Sequence, residues 1–245
     1  MRSLLIRERY KVVRVMDLQS DYALVEAVDI SDRETPSCLI NIYEGELLHR
    51  YARICIGIKK EDCPAFHEMF LERSALVTVY DCTSGEPIDR LFYRGDEWSL
   101  QDRLKYTELL LNRALSISNL PPELSCAALT SENVLFDMKN EKVDLRWKML
   151  PMQEMNSRET ALLAADQVKK ILPRRLTAGW EERRFLDELD AGSFRSAAAL
   201  YGRWREAEQA IREEEEAFEK KGFFKRVFIL LSRIIRNGFS RGGSK

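Results

Sequence analysis

Mostly strand-like texture up to Tyr80, interrupted by one helical segment, and mostly helical texture after Ser99, interrupted by one short hairpin, divide this chain, and that segregation limits its fold more than anything else in the sequence. Strands followed by helices, and not alternating with them, call for an antiparallel sheet with helices gathered to one side, an α+β arrangement. Tyr10–Val15, Tyr22–Asp29 and Cys38–Tyr43 are rich in β-formers and alternate loosely, with turn residues Gln19-Ser20-Asp21 and Ser31-Asp32-Arg33 between them. They predict a three-stranded meander. Gly45–Lys60 has helical spacing, with Leu47, Leu48, Tyr51, Ile54, Cys55 and Ile58 on one face. Phe66–Leu71 and Leu76–Tyr80 predict two further strands, and Ser84-Gly85-Glu86-Pro87 a loop.

Ser99 is placed to cap a helix running from Leu100 to about Ser118, which Pro121-Pro122 should end. Val134–Phe136 and Val143–Trp147 predict short strands around the turn Asp137-Met138-Lys139-Asn140. Beyond Pro151 the pattern is helical over roughly 157–172, 179–190, 193–220 and 221–237.

Composition excludes several classes. The 245 residues are 45% apolar and 32% charged, which suits a globular chain with a real core. No stretch is both apolar and uncharged for long enough to predict an ordinary transmembrane helix, and MRSLLIRERYK is too short an apolar run for a secretory signal. The five cysteines (Cys38, Cys55, Cys63, Cys82, Cys126) are odd in number with no CxxC pair, so neither a disulfide framework nor a zinc site is expected, and a reducing cytosol is the expected setting. His49 and His67 stand alone and are read as structural or surface residues.

The element order, with four motif positions, resembles a protein kinase. Asp17-Leu18-Gln19-Ser20-Asp21-Tyr22-Ala23-Leu24 stands where that family has its glycine-rich loop. Cys38-Leu39-Ile40-Asn41 is similar to the VAIK strand. Cys126 through Leu135, with Glu132-Asn133-Val134-Leu135, is similar to HRDLxxxNxL, and Arg146-Trp147-Lys148 falls at the DFG position. The resemblance covers roughly Tyr10 to Leu150. It implies a small five-stranded antiparallel lobe with one helix (residues 1–86), a reduced, mainly helical lobe (87–219), and a basic amphipathic tail (220–245).

The same alignment implies that the kinase chemistry is gone. Phosphoryl transfer requires close backbone approach to phosphates, a strand lysine, a loop base and carboxylates for magnesium. The glycine positions are Asp17, Gln19 and Tyr22, the lysine is Asn41, the base is Ala128 and the metal-binding aspartate is Arg146. The helix partner of the lysine falls near 56–59, with Glu61 the nearest glutamate. Only Asn133 remains in kind, and its expected role is to brace the loop backbone. No activation-segment end resembling APE follows Leu150. The expected function is therefore a catalytically inactive scaffold or regulatory binding module, without cofactor or metal, whose partner is another protein. The alternative is nucleotidyl transfer on the same degenerate fold, for which Asp17, Asp137, Asp144 and Arg146 are the available groups. Nucleic acid is not expected, because the body is acidic and carries no recognisable base-stacking pattern.

The tail is a separate signal. Lys220 to Lys245 holds eight of the chain's 39 basic residues and none of its 40 acidic ones. Phe223, Phe224, Val227, Phe228, Leu230, Leu231, Ile234 and Ile235 form one helical stripe, with Ile229 off it. Lys225, Arg226, Arg233 and Arg236 lie on the other side, and Gly238 and Gly242-Gly243 should end the helix. Two expectations compete: the stripe packs on the chain itself, the commoner fate, or it docks on an anionic membrane surface at the cytoplasmic face or in an equivalent groove.

Overall fold

The computed structural model describes residues 4–31, 37–93 and 96–239. Asp32, Arg33 and the Gly242-Gly243 pair lie outside the described residues. The first strand, β1 (Leu5–Ile6), pairs with β2 (Tyr10–Leu18), and β3 (Tyr22–Asp29) and β4 (Ser37–Tyr43) continue the meander. Helix α1 (Gly45–Cys55) crosses before β5 (Phe66–Glu72) and β6 (Ala75–Asp81). The sheet order is β1-β2-β3-β4-β6-β5, antiparallel throughout. It thus has six strands and not five. Two residues carry too little periodicity to announce β1, which exists because β2 offers it an edge.

Two further corrections follow from local chemistry. Helix α1 stops at Cys55, so positions 56–59 lie beyond it. Glu86-Pro87, expected in a loop, forms a short strand β7 on β8 (Val134–Asp137), which pairs in turn with β9 (Lys142–Leu145). A one-turn helix, α2 (Ile88–Leu91), follows β7.

Helix α3 (Leu100–Ser116) begins as expected, with Ser99 Oγ accepting from Asp102 N at 3.1 Å. It ends before the prolines, and Pro122 instead starts a short helix α4 (Pro122–Ala128), where a missing N–H costs nothing. Helix α5 (Ser157–Ile171) opens with a capping box between Asn156 and Glu159. Helix α6 (Trp180–Ala191) closes on Gly192 at φ 59°, a left-handed position suited to glycine. Helices α7 (Ala197–Glu219) and α8 (Phe223–Phe239) follow.

One apolar cluster runs without a break from Leu24, Leu39 and Tyr80 on the sheet, through Tyr51 of α1, to Leu110, Phe136, Val168 and Trp204 in the helical part. A smaller cluster (Ile6, Tyr10, Val25, Ile40, Val77, Val79) fills the other face of the curled sheet.

Candidate functional site

Between the sheet and the helical part, where the kinase resemblance would put a nucleotide, the chain's own side chains meet. The β2–β3 connection is a tight turn closed by Gln19 N donating to Tyr22 O at 2.8 Å. Tyr22, at the third glycine position, is 2% exposed and points inward. Its hydroxyl donates to Asn41 Oδ1 at 2.8 Å. The same oxygen accepts from Met149 N at 2.8 Å, and Asn41 Nδ2 donates to Trp147 O at 3.1 Å. Asn41, fully buried on β4, therefore clamps the segment that stands at the DFG position.

Two more tyrosines extend the clamp. Tyr43 Oη donates to Met149 O at 2.8 Å, and Tyr51 Oη accepts from Met152 N at 2.8 Å. The Tyr43 and Tyr51 rings stack at 4.2 Å, and Trp147 stacks on Tyr80 at 5.5 Å. Burial pushes the Tyr22 and Tyr43 hydroxyls well above the ordinary phenol range, so both are neutral donors. Helix α1 thus sends Tyr51, and not a glutamate, toward the clamped segment.

Past β9 the chain keeps its alternation. Val143, Leu145, Trp147 and Met149 are buried, while Asp144, Arg146 and Lys148 between them are half-buried. Lys148 Nζ bridges Asp17 Oδ2 at 3.1 Å and Glu132 Oε2 at 3.0 Å, which ties the β2–β3 hairpin to the loop after α4. Burial works against the ammonium, but the bonds to Glu132 and Asp17 outweigh it and lift its pKa above the ordinary lysine value. Arg146 rests on the Glu132 carbonyl at 3.5 Å and donates its backbone N–H to Asn133 O at 2.7 Å.

Magnesium and a nucleoside triphosphate do not fit these residues. Ala128 is buried at the last position of α4 and has no proton acceptor to offer. Asn133 spends its amide on Ala127 O at 2.7 Å and Lys148 O at 2.8 Å, the bracing role expected of it. Its Oδ1 is enclosed without a described donor, and among the described residues no group of three or more His, Cys, Asp or Glu could hold a metal ion. The carboxylates nominated for nucleotidyl transfer do not converge either. Asp17 is held by Lys148, Asp144 pairs with Lys142 at 2.6 Å, and Asp137 caps the hairpin turn by accepting from Asn140 and Lys139.

The tail does not pack on the chain by its apolar stripe. Helix α8 does pack on the body, but through its polar side. Arg233, 6% exposed, pairs with Glu214 at 2.8 Å and donates to Thr177 O at 3.3 Å. Asn237 Nδ2 donates to Leu176 O at 2.7 Å and accepts, through its oxygen, from Arg183. Arg226, Ile229 and Leu230 are half-buried beside them. Phe223, Phe224, Val227, Phe228, Leu231, Ile234 and Ile235 face outward, as do Lys225 and Arg236. Arg233, counted in the sequence among the docking cations, is therefore a buried anchor, and Ile229, the residue off the stripe, is a packing residue.

Glu214 organises this junction. It accepts from Trp180 N at 2.9 Å and Glu181 N at 3.0 Å, an N-terminal cap for α6, while holding Arg233. Burial raises its carboxyl, but these bonds outweigh it and keep the pKa below the ordinary glutamate value. Gly179 makes the approach feasible, since a Cβ there would stand 2.5 Å from Glu214 Oε2.

The inward clamp was not apparent in the sequence. A tyrosine at a glycine position, and two more on apolar stripes, were the available signals, because a buried tyrosine hydroxyl needs a partner.

No family model and no curated protein matches the sequence. Solved structures do. The PknI kinase domain of Mycobacterium tuberculosis, in two double-mutant forms, superposes with TM-scores of 0.55 and 0.56 at 12% identity. The matches cover 87% and 88% of this chain and 98% and 99% of those domains. At that identity the likeness speaks for the fold alone: the chain has a protein-kinase-like fold.

Proposed function

We propose that this protein is a catalytically inactive kinase-like module that works by binding another protein, as a scaffold or regulator. The observation that carries this reading is Asn41. Where the resemblance calls for a cation, a neutral amide stands, and its hydrogen bonds go to Tyr22, Trp147 and Met149 of the chain itself. Charge reversal at Arg146 and the loss of a base at Ala128 support it. What remains is a rigid body whose surfaces, and not its cleft, are available to a partner.

Calorimetry and thermal shift with ATP and magnesium or manganese test the proposal. Neither binding nor phosphoryl or nucleotidyl transfer is expected, and the triple variant Asn41→Lys, Ala128→Asp, Arg146→Asp should gain none. Metal-dependent ATP binding tighter than about 1 mM, roughly 4 kcal/mol, would overturn it.

A further inference from the structure

Helix α8 keeps its polar side against the body and turns its apolar side to solvent, the reverse of an ordinary surface helix. Seven large apolar side chains are exposed along 17 residues, Phe224 at 86% and Phe228 at 72%. Single exposed apolar residues are commonplace, but a continuous ridge of them marks an interaction surface. The arrangement is not loose, because Arg233 and Asn237 fix the helix by bonds to Glu214 and to the carbonyls of Thr177 and Leu176.

Charge narrows the choice of occupant. Lys225 and Arg236 lie on the exposed side next to Phe228, and no ion pair joins either to a carboxylate among the described residues. The segment from Lys220 onward adds further cations and no anion. A second copy laid along this ridge would set like charges side by side, which disfavours self-association. The ridge is convex and single, so its complement is a yielding apolar medium with an anionic border. At 1.5 Å per residue the helix is about 25 Å long, and no described helix is long and apolar enough to cross a membrane.

We propose that α8 lies in the interface of an anionic lipid bilayer. Phe224, Phe228, Leu231 and Ile235 enter below the headgroups, and Lys225 and Arg236 meet lipid phosphate. Trp180 sits at the waterline. It is 55% exposed, stands under the Arg236 guanidinium at 5.4 Å, and shares with Phe218 and Phe228 a crevice of about 310 Å³ between α8 and the α6–α7 pair. Because α8 is anchored to the body, docking would also set which face of the domain looks at the membrane. The proposal is independent of the state of the cleft.

The test is co-sedimentation of the full chain with vesicles of phosphatidylcholine containing about one quarter phosphatidylserine, at low salt. Binding is expected, with a blue shift in fluorescence that Trp180→Phe abolishes. Weaker binding is expected on phosphatidylcholine alone and at high salt. The exposed-site variant Phe224→Ser/Leu231→Ser/Ile235→Ser should lose at least about tenfold in partitioning, and Lys225→Glu/Arg236→Glu should lose binding to the anionic vesicles. Unchanged melting temperatures in both variants separate lost docking from lost folding. Full-length protein that ignores the anionic vesicles at low salt overturns the proposal. So does a stable dimer in light scattering that the triple-serine variant converts to monomer, since the ridge would then be covered by a second copy.

Discussion

Replacing Asn41 with alanine isolates the clamp that closes the cleft. The side chain makes three hydrogen bonds, at 2.8, 2.8 and 3.1 Å, and its partners Tyr22, Trp147 and Met149 are all at most 2% exposed. Alanine would leave one hydroxyl, one carbonyl and one N–H without partners in a water-poor core. At about 1–3 kcal/mol for each orphaned group, and with a bridging water in the vacated space recovering part of it, the loss should be about 4 kcal/mol. That is a large share of the roughly 5–15 kcal/mol that holds a domain together, and for a chain of this size it corresponds to a fall in melting temperature of about 10 °C. Urea unfolding followed by tryptophan fluorescence gives the free energy, and hydrogen exchange at the Met149 amide tells whether the clamped segment opens. Asn41→Lys should be no milder, because α1 delivers Tyr51 and no carboxylate to pair the buried ammonium. The reasoning fails if Asn41→Ala unfolds within about 0.5 kcal/mol of the parent and Met149 keeps its protection.

Asn133→Ala should cost about 1–3 kcal/mol, because two carbonyls lose their donor; lost partner binding at an unchanged melting temperature would show a recognition role in place of a brace. Burial lifts the Cys38 and Cys55 thiols to about 12 and Cys63 to about 11, so at pH 8 these stay protonated and enclosed. Ellman's reagent should reach half-buried Cys82 first and the others only on unfolding, and rapid native-state titration of more than one thiol would contradict the packing.

The longer strands were legible as runs of β-formers between turn residues; β3 alternates loosely, while β4 and β6, buried on both faces, show as nearly continuous apolar runs. Caps were legible where a side chain does the capping, as at Ser99. The short elements β1, β7, α2 and α4 were not, because each is too short to show a period; β1 rests on the adjacent β2, and β7 on Leu135 and Phe136 about fifty residues away. Asn41 shows the limit most clearly at the candidate site. Its identity announced that a lysine was missing, but its replacement bonds reach Trp147 and Met149, more than a hundred residues away. Helix α8 shows a second limit. Periodicity showed an apolar stripe, yet Leu230 of that stripe is half-buried, and the side facing the body was decided by Arg233 and Asn237 meeting carbonyls and a carboxylate on another part of the chain.

Glu214 has a mechanical consequence. One carboxylate holds the N-terminus of α6 and the guanidinium of Arg233 together. A pull applied to α8 therefore does not stop at the Gly222 connection but passes sideways into α7, which carries Glu214, and from α7 into α6, α3 and α5, which pack against it. The last helix is coupled to the body like a handle riveted to a plate, and not like a cord tied to its edge: turning it turns the domain.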